Sequence, residues 1–254
     1  MQKTRLSKSD REMLDSRLQV FAKSLGLPPK IPQQRDIVEG VYAVFASLPD
    51  KVESVIDNNG KSFFNFGNDK KAAIAKKSEL EKQGYHVFFE TANADASGIM
   101  ISSVYRNPVK FVEVVLHEGF HNNPCNKMDI KIEEPGAYLM GLHGAIEFFR
   151  IFGGDSFLAE ARNNKDNFNR KVQRAVQRYQ KRLEALSLGE VVPTSSAYNN
   201  AVILADMLDY EHYPLIRNVH RAVGYIGETR RVLTGLPSDL NKGLERLEQI
   251  VSST

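Results

Sequence analysis

His117-Glu118-Gly119-Phe120-His121 lies near the middle of this 254-residue chain. On a helix, positions four apart share a face, so both imidazoles can reach one metal ion. The glutamate between them then stands beside that ion, where it can take a proton from a water. The flanking residues are those of a helix. Asn107 and Pro108 supply an N-cap and a proline at the first helical position. Val109, Phe111, Val112, Val114, Val115 and Leu116 form an apolar run, which Asn122-Asn123-Pro124 ends. This predicts one buried helix with His117 and His121 as metal ligands and Glu118 as general base.

A catalytic zinc takes three protein ligands and keeps a fourth position for water. Lys131-Ile132-Glu133-Glu134-Pro135-Gly136-Ala137-Tyr138 offers two carboxylates, and an apolar run from Ala137 to Phe149 follows. The acidic pair is expected to open a second helix. Pro135 would sit early in its first turn and push Glu134 off helical backbone angles. A helix–loop–helix hairpin would return Glu134 to the histidines. On residue type alone, Glu133 and Glu134 are both open as the third ligand.

HExxH followed by a glutamate on a second helix resembles the gluzincins, the thermolysin-like metallopeptidases. The chain is most similar to the bacterial putative zinc aminopeptidases, which carry HELAHQ and then an NExxA-like segment. In that family the third ligand follows the second histidine by the spacing that separates His121 from Glu134, and Ala137 matches the alanine. The likeness takes in Tyr85 to Phe89, Ala94 to Gly98, and Ala197-Tyr198-Asn199-Asn200-Ala201; Tyr210 to Pro214 fall near the family's Tyr-His and proline positions. It covers roughly residues 84 to 235. Two departures stand out: Glu133 occupies the family's asparagine position, and Tyr210 and His212 align only after a one-residue slip.

The resemblance implies zinc held by His117, His121 and Glu134, and an aminopeptidase acting on peptide or protein substrates. A zinc endopeptidase and a non-catalytic zinc-binding interaction protein are the alternatives. Glu133, the carboxylate left over, is the expected anchor for a substrate ammonium. Tyr210 and His212 are the expected donors to the tetrahedral oxyanion. An extended peptide is expected against a strand within residues 85 to 97, with Asn93, Asp95 and Ser97 at the cleft rim. Tyr138 shares the face of Glu134 and reads as core packing; His143 falls on the opposite face. Cys125 reads as a small buried residue.

The rest of the chain reads as α+β and mostly helical, a single zincin-like domain over 1–254 with an active-site helix and a glutamate helix beside a small sheet. Helices are expected at residues 8–24, 38–48, 70–83, 155–188, 195–213 and 240–251. Strands are expected at 61–66, 85–91 and 98–104. Residues 1–35 read as an N-terminal helical extension with a stiff connector, Leu27-Pro28-Pro29-Lys30-Ile31-Pro32. Asp155 is expected to cap the long helix, and Pro214 to stop the one before it.

Hydrophobic residues make up 42% and charged residues 26%, ordinary for a globular chain. A net charge of +3 does not argue for nucleic acid. The basic residues between Lys165 and Arg182 are interleaved with glutamines and read as a solvated helix face, so no nucleic acid is expected. No apolar core follows Met1 to Lys8, no stretch approaches a membrane span, and the one cysteine forbids an internal disulfide. These features set a cytoplasmic expectation, with no membrane partner.

Overall fold

The structure, a computed structural model, describes residues 6–55, 63–94, 98–124, 127–190 and 199–253. Helix α1 (Lys8–Ser24) opens where Ser7 Oγ accepts from the Asp10 N–H. Its apolar face, Leu14, Leu18, Phe21 and Ala22, is buried in the main core, and Phe21 meets Phe148 edge-on at 5.6 Å. Leu27 of the proline-rich connector is buried there too. The segment read as an extension is therefore part of the central packing.

Strand β1 (Ile37–Val38) precedes β2 (Val41–Ser47), β3 (Phe64–Asn65), helix α2 (Lys70–Lys82), β4 (His86–Ala92) and β5 (Met100–Ile101). Strands β3, β2 and β4 form an antiparallel sheet in that order; β1 and β5 pair in parallel. The register of β2 and β4 runs from Val41 opposite Ala92 to Ser47 opposite His86. Residues 38–48, expected to be helical, thus contain a strand. Val41 to Ser47 is buried along nearly its whole length, with α2 against one face of the sheet. A strand covered on both faces loses its alternation and reads as a continuous apolar run, which period alone does not separate from a buried helix. The strand expected at 98–104 is cut to two residues, after which helix α3 (Ser102–Tyr105) begins. Of the strand expected at 61–66, Phe64–Asn65 is present; residues 61 and 62 lie outside the described residues.

Helix α4 (Pro108–His121) starts as expected, with Asn107 Oδ1 accepting from the Lys110 N–H at 2.9 Å. Val109, Phe111, Val112, Leu116 and Phe120 have no measurable exposure. Each such side chain contributes on the order of 1.5–3 kcal/mol by burial. Helix α5 (Ile130–Phe152) begins earlier than expected, because Asp129 caps it by accepting from the Lys131 N–H. Glu133 is consequently in its first turn and Glu134 just beyond, both helical, with Pro135 in the interior. The proline costs the helix one backbone hydrogen bond, the one an N–H there would make to the Lys131 carbonyl.

The contact between α4 and α5 is unusually close. A Cβ on Gly141 would stand 2.6 Å from the Glu113 carbonyl oxygen, and one on Gly144 2.7 Å from Leu116 Cδ1. Glycine lets the two helices approach backbone to backbone at Gly141 and backbone to side chain at Gly144.

Helix α6 (Asp155–Ser187) follows, then α7 (Asn200–Tyr210), α8 (Tyr213–Val223), α9 (Ile226–Thr234) and α10 (Leu240–Ser252). Gly154, not Asp155, is the N-cap of α6. Pro214 falls in the first turn of α8 rather than stopping a helix, since a proline in that turn loses no helical hydrogen bond. Residues 195–198, expected to be helical, lie outside the described residues. The Asn199-Asn200 pair ties α7 to the sheet: Asn199 Nδ2 donates to the Val87 carbonyl, and Asn200 Nδ2 to those of Leu48 and Pro49. Helix α7 thus packs on the sheet face carrying Ala43, Phe45 and Phe88. The basic stripe of α6 is not uniformly solvated: Arg178 pairs with Asp206, and Arg182 is buried with its Nε donating to Asn200 Oδ1 at 2.7 Å. No helix among the described residues is long and apolar enough to cross a membrane.

Candidate metal centre

A cavity of about 750 Å³ opens between the sheet and helices α4 to α7. His117, Glu118 and His121 line it from α4, and Glu133, Glu134 and Tyr138 from α5. The i, i+4 spacing puts both imidazoles on the cavity face of α4, and the close helix contact brings Glu134 across to them.

Three donor atoms converge. His117 Nε2 and His121 Nε2 are 3.2 Å apart; Glu134 Oε2 is 3.4 Å from His121 Nε2 and 3.7 Å from His117 Nε2. Donors about 2.1 Å from a tetrahedral ion stand roughly 3.4 Å apart, so this triangle has the dimensions of a tetrahedral metal face. Among the described residues, this is the one cluster of three or more metal-ligating side chains, and it can hold a metal ion.

Glu133 has a different place from Glu134. Its Oε1 is 2.8 Å from His121 Nδ1, the ring nitrogen turned away from the triangle. A carboxylate there fixes the ring so that Nε2 points at the centre. The residue expected at the substrate ammonium is thus bound to a histidine of the triad.

The electrostatics fit a site built for a cation. Burial, and then the neighbouring His121, pull His117 down to about 3. Burial opposes a charge on His121 as well, but Glu134, Glu133 and Glu118 outweigh it and hold its pKa well above the usual histidine value. Burial favours a neutral Glu134, yet His121 and then His117 keep its carboxyl below the usual range.

The sequence expectations at the cavity are met unevenly. Tyr210 lines it, whereas His212 is absent from the described lining residues and sits 3.9 Å from Glu211. Asn93 is at the rim; Asp95, Ser97 and Cys125 lie outside the described residues. Tyr138 is no mere packing residue. Its ring lies 4.7 Å from that of His117, and its hydroxyl donates to Asp209 Oδ2 at 3.1 Å. His143 is turned away from the cavity as expected, its ring 4.4 Å from that of His220.

Glu90 on β4 and Asp209 on α7 also line the cavity and are absent from the sequence expectations, as is Glu113 on α4. Burial, and for both the nearby Glu134, raises the pKa values of Glu90 and Asp209; Lys171 partly offsets this. A signal existed for these two. Glu90 is the one carboxylate in its strand and follows the apolar Val87-Phe88-Phe89, and Asp209 lies near the end of an apolar helical run. Comparison with protein-family models, with curated proteins and with solved structures finds no match for this chain.

Proposed function

We propose that this chain is a zinc-dependent peptide hydrolase that removes residues from the free N-terminal end of peptides. The observation that carries this is the donor triangle of His117, His121 and Glu134, walled into a cavity that also holds Glu118. A zinc ion held by these three residues would supply Lewis acidity and would lower the pKa of a water to about 7.

The remaining work belongs to the chain's own groups. Glu118 is adjacent in sequence to one ligand and lines the same cavity, so its carboxylate takes the proton of the attacking water and returns it to the leaving amine. Glu133 holds the His121 ring in register. Tyr210 presents its phenol to the cavity, a hydrogen-bond donor for an oxygen that gains charge, while the Tyr138 hydroxyl is committed to Asp209. Strand β4 has β2 on one side, and the described residues pair no strand with its other edge, which leaves room for an extended peptide.

Glu90 and Asp209 support the choice of the N-terminal end. Both are recessed acids whose negative charge is poorly compensated within the chain, and a substrate ammonium would compensate it. N-terminal acetylation removes that cation, so acetylated peptides are expected to be poor substrates.

The test is Glu118→Gln. The amide keeps the size of the side chain but accepts no proton from water, so zinc should stay bound while hydrolysis of unblocked short peptides falls by at least about a hundredfold. Near-native turnover by the variant would refute the assignment.

A further inference from the structure

Resting on the hydrolase reading, we infer that the cavity selects substrates whose N-terminal residue carries a bulky apolar side chain, and that Ala43 and Ile130 set this preference. Glu90 on β4 stands directly opposite Ala43 on β2, and Phe88 directly opposite Phe45. Opposite residues of an antiparallel pair emerge on the same face, with Cβ atoms about 5 Å apart. The acid and the apolar residues therefore share one face of the sheet, the one on which α7 packs.

That face is apolar where it meets the cavity. Ala43, Phe45 and Leu208 are buried members of one small cluster, and Ile130 packs against it while remaining partly exposed. All four line the same cavity as the metal triad. An apolar wall with a partly wet member, here Ile130, is what an apolar ligand group covers with gain.

Covalent geometry links the two features. In an amino acid the ammonium and the side chain branch from a single Cα. An ammonium placed at Glu90 therefore carries its side chain to within a few ångströms of the same sheet face. Of these four side chains Ala43 is the smallest, so a ligand group larger than a methyl meets the least obstruction there. A charged side chain there would lose its water against Phe45, Leu208 and Ile130 without a partner among them.

The probes are leucinol, alaninol and N-acetyl-leucinol, which carry the ammonium and the side chain, or the side chain alone, and no hydrolysable amine-terminal bond. Calorimetry on the zinc-loaded full chain should give leucinol at least about tenfold tighter binding than alaninol, and N-acetyl-leucinol no measurable binding. Ala43→Val, which fills the space, and Ile130→Ser, which removes apolar wall at a partly exposed position, should each bring the leucinol-to-alaninol ratio toward one. Circular dichroism checks that each variant is folded, and Ile130→Ser carries the test if Ala43→Val misfolds. Equal affinities, no leucinol binding to folded protein, or a ratio unmoved by Ile130→Ser overturns the inference. Selective leucinol binding without cleavage of leucine amides would leave the subsite standing and sink the hydrolase reading instead.

Discussion

At the scale of the residue, two adjacent glutamates have separate jobs. Glu134 points its Oε2 into the donor triangle, while Glu133 holds the outer nitrogen of His121. Removing a ligand deletes a metal bond; removing the outer partner only loosens a ring. Glu134→Gln is therefore expected to weaken zinc binding by more than about a thousandfold, and Glu133→Gln by about 10–100-fold, on the usual cost of outer partners. Competition against a fluorescent chelator measures both, and the reverse order would exchange the two assignments. Residue type alone leaves this division open; the spacing resemblance points to Glu134, and the place of Glu133 beside His121 was not legible in the sequence. Both residues are acids in one helical turn, and which of them faces the histidines depends on where the helix starts. Asp129 starts it three residues before the expected point, which turns Glu133 and Glu134 to their observed directions. His117, Glu118 and His121 were legible because their spacing encodes a shared face without help from any other element.

At the scale of the element, the geometry of the triad depends on how closely α4 and α5 approach. Gly141 sets that distance, since a Cβ there would meet the rigid backbone oxygen of Glu113 at 2.6 Å and the His117 Cβ at 3.4 Å. Gly141→Ala is expected to destabilise the fold by roughly 1–3 kcal/mol, the usual cost of overpacking, and to weaken zinc binding by separating Glu134 from the histidines. Gly144→Ala meets only the tip of the Leu116 side chain, which can turn aside, so its cost should be smaller. Urea midpoints of the two variants decide this, and an equal loss would contradict the account. Elements with caps or clear periods, such as α1, α2 and α4, were legible from their own residues. Strand β2 was not, because α2 and α7 cover its two faces and hide the alternation. Helix α7 was misjudged at its C-terminal end for a related reason, since Pro214 breaks a helix only if the chain does not begin another one there.

At the scale of the whole molecule, His143 and His220 make stability depend on pH. They face each other inside the packing of α5 and α8, away from the cavity. Burial, then His220, with Lys165, Arg217 and Arg221 also facing it, pulls His143 down to about 3. Burial likewise lowers His220, against the opposing pull of Glu147. The unfolded chain binds protons at these residues near pH 6.5 and the folded chain binds them only at lower pH. Their contribution to stability is thus complete above about pH 6.5 and falls as pH drops, by at most about 1.4 kcal/mol per pH unit for each histidine. His143→Gln should flatten that fall between pH 6.5 and 4.5, and an unchanged slope in denaturant titrations would refute the assignment. Zinc should act in the opposite sense, raising the unfolding midpoint in proportion to the logarithm of its free concentration. The zinc effect presupposes that the triad of His117, His121 and Glu134 is a metal centre. The direct measurement is zinc content by mass spectrometry after dialysis against the ion, for the native chain and for His117→Ala/His121→Ala. The account predicts about one zinc per native chain and almost none in the double variant. A native chain that takes up no zinc, or a double variant that takes up as much, would contradict it.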